Sequence, residues 1–512
     1  MWVRLGVLAA ASMVMSRPAA AEWMRAETPH FVVYADASEV AIRKQASDLE
    51  LFDAALRRFQ RVADTADSQH NKVTVFVVPS VEAVQRLGRQ ANIAGFYQPR
   101  VSGSVAFTPK AGDSDYDYAL SPRVVLFHEY AHHFLLGNFT AAIPAWFSEG
   151  YAEFAGTAAI NDSSVTLGGA ANHRAYGLQS GRQLSAAELF APPARMSDGE
   201  LDYLYGRGWL LTHLVLFDKA RRQQFATYLD LLNRGTPSAQ AATQAFGNLR
   251  NLDRALDEAQ SARLTGYVIQ RSALPSPTIA VRPLSPGERA LISYRMESTR
   301  GVDDRTAKPL FARARLGAAP YPTNAVAQGW LAEMAYDAGE DAAAEAAADA
   351  ALAVDASNSQ ALLYKARVHL RRALKGGSAD RWKEARSWIL KANRANTDDA
   401  AALLLFYESF GMAGETPSPG AISGLYRVVA LAPQDESARF LAARQLLIDN
   451  DLDTARAVLR PLAFSPHQRR DNPAAKLLAA LDSGKTGPAA LKALEDAAKS
   501  EGDAKGATGG GS

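Results

Sequence analysis

No cysteine occurs among the 512 residues of the chain. Disulfides are therefore excluded, as is lipidation of an N-terminal cysteine, and stability has to come from core burial or a bound metal. Charge of one sign is also scarce. The formal charge is +2, and that excess is carried by Arg4 and Arg17 within the first 21 positions, leaving 54 basic against 54 acidic residues in the remainder. A nucleic-acid partner needs a concentrated basic face, and no such run is present. Long apolar runs are missing too. Leu5 to Met15 falls well short of the roughly 20 residues that span a bilayer, and Trp209 to Phe217 reads as a buried helix. Walker loops and dinucleotide fingerprints are absent, so nucleotide chemistry has no support.

What is present points to an exported, multi-unit protein. Arg4, the apolar stretch after it and Ala19-Ala20-Ala21 read as a secretory signal peptide over residues 1–21. An uncleaved anchor is the alternative. The expected location is periplasmic or secreted, with no integral membrane segment in the mature chain. Apolar residues make up 48% and charged residues 21%, the balance of a folded globular protein. At roughly 150 residues per domain, more than one unit is expected.

Residues 22–273 read as an α+β unit with a small mixed sheet. FVVY at 31–34 and VTVFVV at 73–78 are candidate buried strands, Ser38 to Val62 has helical periodicity, and Val101 to Phe107 reads as a strand suited to a sheet edge. Helical patterning dominates beyond Ser121. Pro275, Pro277, Pro283 and Pro286 mark 274–286 as a linker without regular structure. Beyond it a pattern with Asn or Asp three residues before Ala recurs at Asn324/Ala327, Asn358/Ala361, Asp399/Ala402 and Asp435/Ala438. The spacings of 34, 41 and 36 residues resemble tetratricopeptide repeats, an all-α array over 287–482 offering a surface for a protein partner. A plain Ala-rich bundle is the alternative. The tail, 483–512, is a lysine-rich helix candidate ending in Gly509-Gly510-Gly511-Ser512.

The chemistry concentrates after Ser121-Pro122, a good helix opening. His128-Glu129-Tyr130-Ala131-His132 forms HExxH. Two histidines four apart project from one helix face about 6 Å apart, so both rings reach one ion, and Glu129 sits beside it. A second helix candidate from Pro144 to Phe154 carries Glu149 and Glu153 on one face. Folded back on the first, it brings Glu149 to the histidine pair and completes a two-histidine, one-carboxylate site of the kind zinc enzymes use. Glu153 is either a carboxylate fixing the outer nitrogen of a ligand histidine or a solvated surface acid. His133 points away from His132 and is expected to pack or hydrogen-bond in the core.

HExxH followed by WFSEG resembles the gluzincin metallopeptidases, including the aminopeptidase N family, and more closely the peptidase-MA-like group of exported bacterial proteins. The resemblance covers roughly residues 23 to 270. It implies one zinc ion on His128, His132 and Glu149, with Glu129 as catalytic base. Tyr205-Gly206-Arg207-Gly208, expected at the start of a long helix, is similar to the Y-x-K-G segment of the aminopeptidases, with arginine for lysine. By that resemblance the Tyr205 hydroxyl stabilises the tetrahedral intermediate; Tyr203 is the nearby competitor. The aminopeptidases' glutamate that grips a free amino end has no counterpart in Ser102 to Thr108. Cleavage inside a peptide or protein substrate is therefore expected. The alternative is an inactive, metallopeptidase-like scaffold that binds partners through its repeats.

Other signals are weak. Asp113, Asp115 and Asp117 lack the glycine and twelfth-position carboxylate of a calcium loop. His30, His70, His173, His213, His369 and His467 have no ligand-spaced partners and are expected to be structural.

Overall fold

The computed structural model describes residues 22–508 except 92, 111–120, 175–177, 179–183, 194 and 466–471, with side chains described to 497. The 1–21 segment, the Asp113/Asp115/Asp117 loop, His467 and the terminal 509–512 stretch lie outside the described residues. The N-terminal region is α/β with a mixed six-stranded sheet, and a long all-helical region of paired helices follows.

The strands are β1 (Glu22–Glu27), β2 (Phe31–Ala37), β3 (Val73–Val78), β4 (Phe96–Gln98), β5 (Val105–Pro109), β6 (Ala159–Ile160), β7 (Ser164–Leu167), β8 (Tyr267–Gln270) and β9 (Ala280–Pro283). The large sheet has the order β4-β5-β3-β2-β1-β9, and β6, β7 and β8 form a small second sheet. Strands β2, β3 and β5 run parallel, with Val33 opposite Val75 and Val75 opposite Ala106. The N-terminal helices are α1 (Glu39–Gln60), α2 (Ala66–His70), α3 (Val81–Gly88), α4 (Pro122–Asn138) and α5 (Ala145–Gly156).

A continuous apolar strand such as VTVFVV is stable only when both faces are covered. Val73, Val75 and Val77 of β3 join a core with Ile42 and Phe52 of α1 and Phe127 of α4; the Phe52 and Phe127 rings stack at 4.0 Å. Phe76 and Val78 point the other way, into a second core with Phe107, Leu291 and Trp330. Tyr34 links them, stacking on Phe76 at 5.2 Å and meeting Trp330 edge-on at 6.5 Å. The first helices of the paired array therefore complete the core of the sheet.

Two expectations need correction. The proline-rich segment is not devoid of regular structure, because Ala280–Pro283 pairs antiparallel with β1 as an edge strand. An edge needs ladder donors on one side only, which lets proline in at its end. The strand read from Val101 to Phe107 is not at the edge either. As β5 it is flanked by β3 and β4, so β4 is the outer strand. The missed signal was FYQ at 96–98, too short to register as a strand.

In the helical region Asn324, Asn358, Asp399 and Asp435 each cap the first helix of a pair, accepting from the N–H of Ala327, Ala361, Ala402 and Ala438 at 2.8–3.2 Å. Those four alanines are fully buried. The repeat signature is thus a cap plus a small buried residue in the first turn. The long 41-residue spacing arises from two long helices, Ser359–Gly376 and Ala379–Ala395, joined at Gly377 with φ 53°. Among the described residues, no helix is long and apolar enough to cross a membrane.

Because Trp330 covers the sheet's second face, Trp330→Ala is expected to cost about 3–5 kcal/mol. In a denaturant titration the sheet and the helical array should still unfold together. Two separated transitions, or a stable monomeric fragment ending at residue 286, would show that the array is not part of this core.

Candidate metal centre

Helix α4 begins as its sequence requires, with the Ser121 hydroxyl accepting from the Val124 N–H at 3.3 Å and proline in the first turn. Its rotation is set by burial of Phe127, Tyr130, Ala131 and Phe134. Tyr130 adds a directional anchor: its hydroxyl donates to Asp53 at 2.7 Å, and Asp53 in turn accepts from Arg57 at 2.6 Å. Charge-assisted bonds of this kind are about twice as strong as neutral ones. The two motif histidines therefore face α5.

Helix α5 is brought close by glycine at its middle and at its C-terminal end. A Cβ at Gly156 would lie 3.1 Å from the Val124 carbonyl oxygen and 3.5 Å from His128 Cβ on α4. At Gly150 it would lie 2.3 Å from the Gly208 carbonyl oxygen, and at Gly208 it would lie 2.7 Å from that of Trp146. Thus the glycine of WFSEG and the last glycine of YGRG face one another where α5 crosses the helix Asp198–Phe217.

Glu149 meets the histidines from this approach. The Nε2 atoms of His128 and His132 are 3.3 Å apart, and Glu149 Oε2 lies 3.5 and 3.6 Å from them. His132 and Glu149 are buried and His128 is half-buried. Tetrahedral coordination with bonds of about 2.0–2.1 Å places donors about 3.4 Å apart, so the spacing of this buried triad fits one metal ion. In the metal-free chain burial opposes charge on His128, but the Glu149 and Glu153 carboxylates outweigh it and push its pKa up to about 10. Burial likewise opposes the Glu149 anion. The His132 and His128 rings nonetheless hold its carboxyl well below the usual carboxylate range.

Both histidines are also braced from behind. Glu153 Oε1 lies 3.2 Å from His128 Nδ1, and Ser148 Oγ lies 3.2 Å from His132 Nδ1. Glu153 is 1% exposed, so it is not a solvated acid. It accepts from Arg174 at 2.6 Å and lies 2.6 Å from His173 Nε2. Neither Arg174 nor His173 belongs to one of the short motifs. They arrive in the short turn Asn172–Arg174, some twenty residues away, with no spacing pattern to reveal them.

Glu129 is half-buried, and its carboxylate makes no hydrogen bond or ion pair among the described residues. Its charge is felt by two phenols, Tyr97 of β4 and Tyr205. Burial raises the Tyr205 hydroxyl above its usual range, and the Glu149, Glu153 and Glu129 charges add to that while Arg174 opposes it. The Arg174 guanidinium sits 4.9 Å from the Tyr205 ring. Tyr205 and Glu149 line the same cavity, of about 1030 Å³.

Tyr205 is not at a helix start. The helix begins at Asp198, where Ser197 and Glu200 form a reciprocal capping box that the sequence reading overlooked. Arg207 turns away from the triad to Asp257 and Asp253, at 2.6 and 3.2 Å. Tyr203 lies beneath that guanidinium and is 1% exposed. His133 faces Tyr97, its Nδ1 2.9 Å from the hydroxyl, and burial pushes its pKa down to about 4.

A second group that sequence spacing did not reveal is His30, Glu50 and Asp53. His30 Nδ1 lies 2.9 Å from Glu50 and 3.5 Å from Asp53. Asp53 is already held by Arg57 and Tyr130, which makes this an ion network supporting α4. Two acids on the otherwise apolar face of α1, in LELFD, were the available clue. No family model matches the chain, and no curated protein matches it.

Alanine normally gains up to about 1 kcal/mol over glycine inside a helix. At Gly150 the contact with backbone oxygen has to be relieved, at a cost of about 1–3 kcal/mol. Gly150→Ala is therefore expected to lower the melting temperature. Gly199→Ala, in the partner helix with nothing within 4 Å, should leave it unchanged or raise it.

Proposed function

We propose that the chain is an exported, zinc-dependent peptidase that hydrolyses bonds inside peptide or protein substrates. One observation carries the reading: His128, His132 and Glu149 converge at 3.3–3.6 Å while the adjoining Glu129 carboxylate makes no hydrogen bond or ion pair among the described residues. A zinc ion held by His128, His132 and Glu149 would supply an acidified water and polarise a substrate carbonyl. The remaining roles belong to the chain itself. Glu129 accepts the proton of the attacking water and returns it to the leaving amine. Tyr205 donates its hydroxyl to the oxygen on which negative charge develops, a contribution of about 3 kcal/mol for one such donor. Its raised pKa keeps that proton in place at neutral pH.

Ser148 and Glu153 hold the two imidazoles in the orientation that aims Nε2 at the ion. Internal cleavage is favoured because Ser102 to Thr108 offers no carboxylate to grip a free amino end. Export rests on the N-terminal 21 residues. In the competing reading, an inactive scaffold that binds partners through its helical pairs, Glu129 has no task.

Glu129→Gln is expected to retain bound zinc, measured by elemental analysis, while cleavage of a quenched peptide library falls by a factor of about 10²–10⁴. Wild-type rates in that variant would refute the peptidase. Tyr205→Phe should lower kcat by about 10²–10³ with little change in KM. Metal affinity should also depend on pH. His128 must lose its proton to bind zinc, and its pKa near 10 in the metal-free chain means that a proton is released throughout pH 6–8. Apparent affinity then rises roughly tenfold per pH unit over that window; a flat profile in a chelator competition would contradict it.

A further inference from the structure

The cavity that holds Glu149 and Tyr205 has two walls of different origin. The near wall comes from the N-terminal region, including Trp146, Phe190 and Leu204. The far wall is built by the last helical pairs and carries Arg456, Arg460, Phe464 and Leu478. Two contacts fix that wall in place. Arg460 donates to the Asn233 carbonyl at 2.7 Å, and Asp482 sits against Gly235, where a Cβ would meet its carboxylate at 2.8 Å. Gly235 has φ +87°, so the turn itself favours glycine there.

The charge on the lining is unbalanced. Its acids among the described residues are Glu149, turned to the histidines, and Asp482; its bases are Arg195, Arg456 and Arg460. Arg456 donates to the Leu481 carbonyl at 3.0 Å and reaches Asp453 and Asp482 at 3.5 and 3.6 Å. Arg460 is half-buried and has no carboxylate partner among the described residues. A guanidinium in a partly dry cavity attracts a carboxylate and can bind it through two parallel N–H groups. The apolar near wall, meanwhile, suits a bulky side chain.

We infer that the far wall of this cavity selects substrate: it takes a polypeptide segment that bears a carboxylate, held by Arg460 and Arg456, alongside an apolar residue lodged against Trp146 and Phe190. The inference rests on the peptidase reading, and it gives the helical pairs a direct part in substrate choice. The carboxylate comes from an acidic side chain or from the chain terminus, chemically the same group.

The test is binding of dye-labelled peptides to full-length, zinc-loaded Glu129→Gln protein, followed by fluorescence anisotropy. Peptides are compared in pairs with Glu or Gln at successive positions, each with a free or an amidated C-terminus. At least one carboxylate-bearing peptide should bind about tenfold more tightly than its neutral twin, and the position of the effective carboxylate identifies its source. Adding Arg460→Gln should bring the ratio close to one, and Arg460→Lys should restore part of it. Arg456→Gln provides the same reading if loss of the Asn233 contact unfolds the Arg460 variant, as a thermal melt would show. Equal binding of every pair, or a preference that survives both glutamine variants, overturns the inference. Cleavage by the wild-type protein is scored separately. Peptide cleavage without charge preference refutes the selecting wall alone, whereas charge-dependent binding without Glu129-dependent cleavage refutes the peptidase alone.

Discussion

Glu149 and Glu153 lie one helical turn apart on α5, 3% and 1% exposed. Taking an ionised carboxylate out of water costs several kcal/mol, and two on one buried face are sustained only by hydrogen-bonding and charged partners placed around them. His128 and His132 face Glu149, while His128, His173 and Arg174 face Glu153. His128 serves both acids, one through each ring nitrogen, so its position is doubly determined. The charge balance also bears on the candidate site: a divalent ion between the rings and Glu149 would take the place of the proton that Glu149 and Glu153 favour on His128. Stability and the capacity to hold a metal ion thus draw on the same electrostatics.

That arrangement needs α4 and α5 at a fixed separation, and the fold secures it from several directions. Gly156 closes one end of the α4–α5 contact and Gly150 the crossing with the helix behind it. Phe127 ties α4 to α1, which lies on the sheet. The sheet in turn depends on Trp330 and its neighbours to cover its other face. Gln434 reaches back from the helical array to Asn71 and Ser104 at 2.9 and 3.0 Å. Arg439 donates to the Leu136 carbonyl at the end of α4, at 3.0 Å. The paired helices thus brace the motif helix as well as building the far wall of the cavity.

How much of this was legible depended on the range of the interaction. Local signals were plain: the Ser121 cap, the i, i+4 histidines, the apolar run of β3 and the Asn or Asp that opens each helical pair. Glu149 could be placed near the histidines because only a short connection separates the two helices. Contacts set by tertiary packing were not legible. His173 and His30 looked alone because their carboxylate partners lie on other elements. Strand β9 was hidden by Pro283 and the prolines around it, since the effect of proline on a ladder depends on whether the strand is central or peripheral. The shared core of sheet and helical array was invisible for the same reason, since VTVFVV announces two buried faces without saying what covers them.

The three short motifs mix letters of different kinds, and this separates chemistry from architecture. In HExxH, Tyr130 is an anchor to Asp53. In WFSEG, Trp146 packs against Phe190 and Phe225 with ring centroids 5.6 Å apart in each case, Ser148 braces a histidine and Gly150 permits the crossing. In YGRG, Arg207 is consumed by Asp253 and Asp257, so it bears on how two helices are joined and leaves the triad untouched. Only a handful of positions need a particular side chain for the proposed reaction, and most of the rest need only a size or a close approach. Packing requirements of that sort are met by many residue combinations. The candidate site at His128, His132 and Glu149 can therefore rest on a few short motifs while the packing around it is built from residues that those motifs do not dictate.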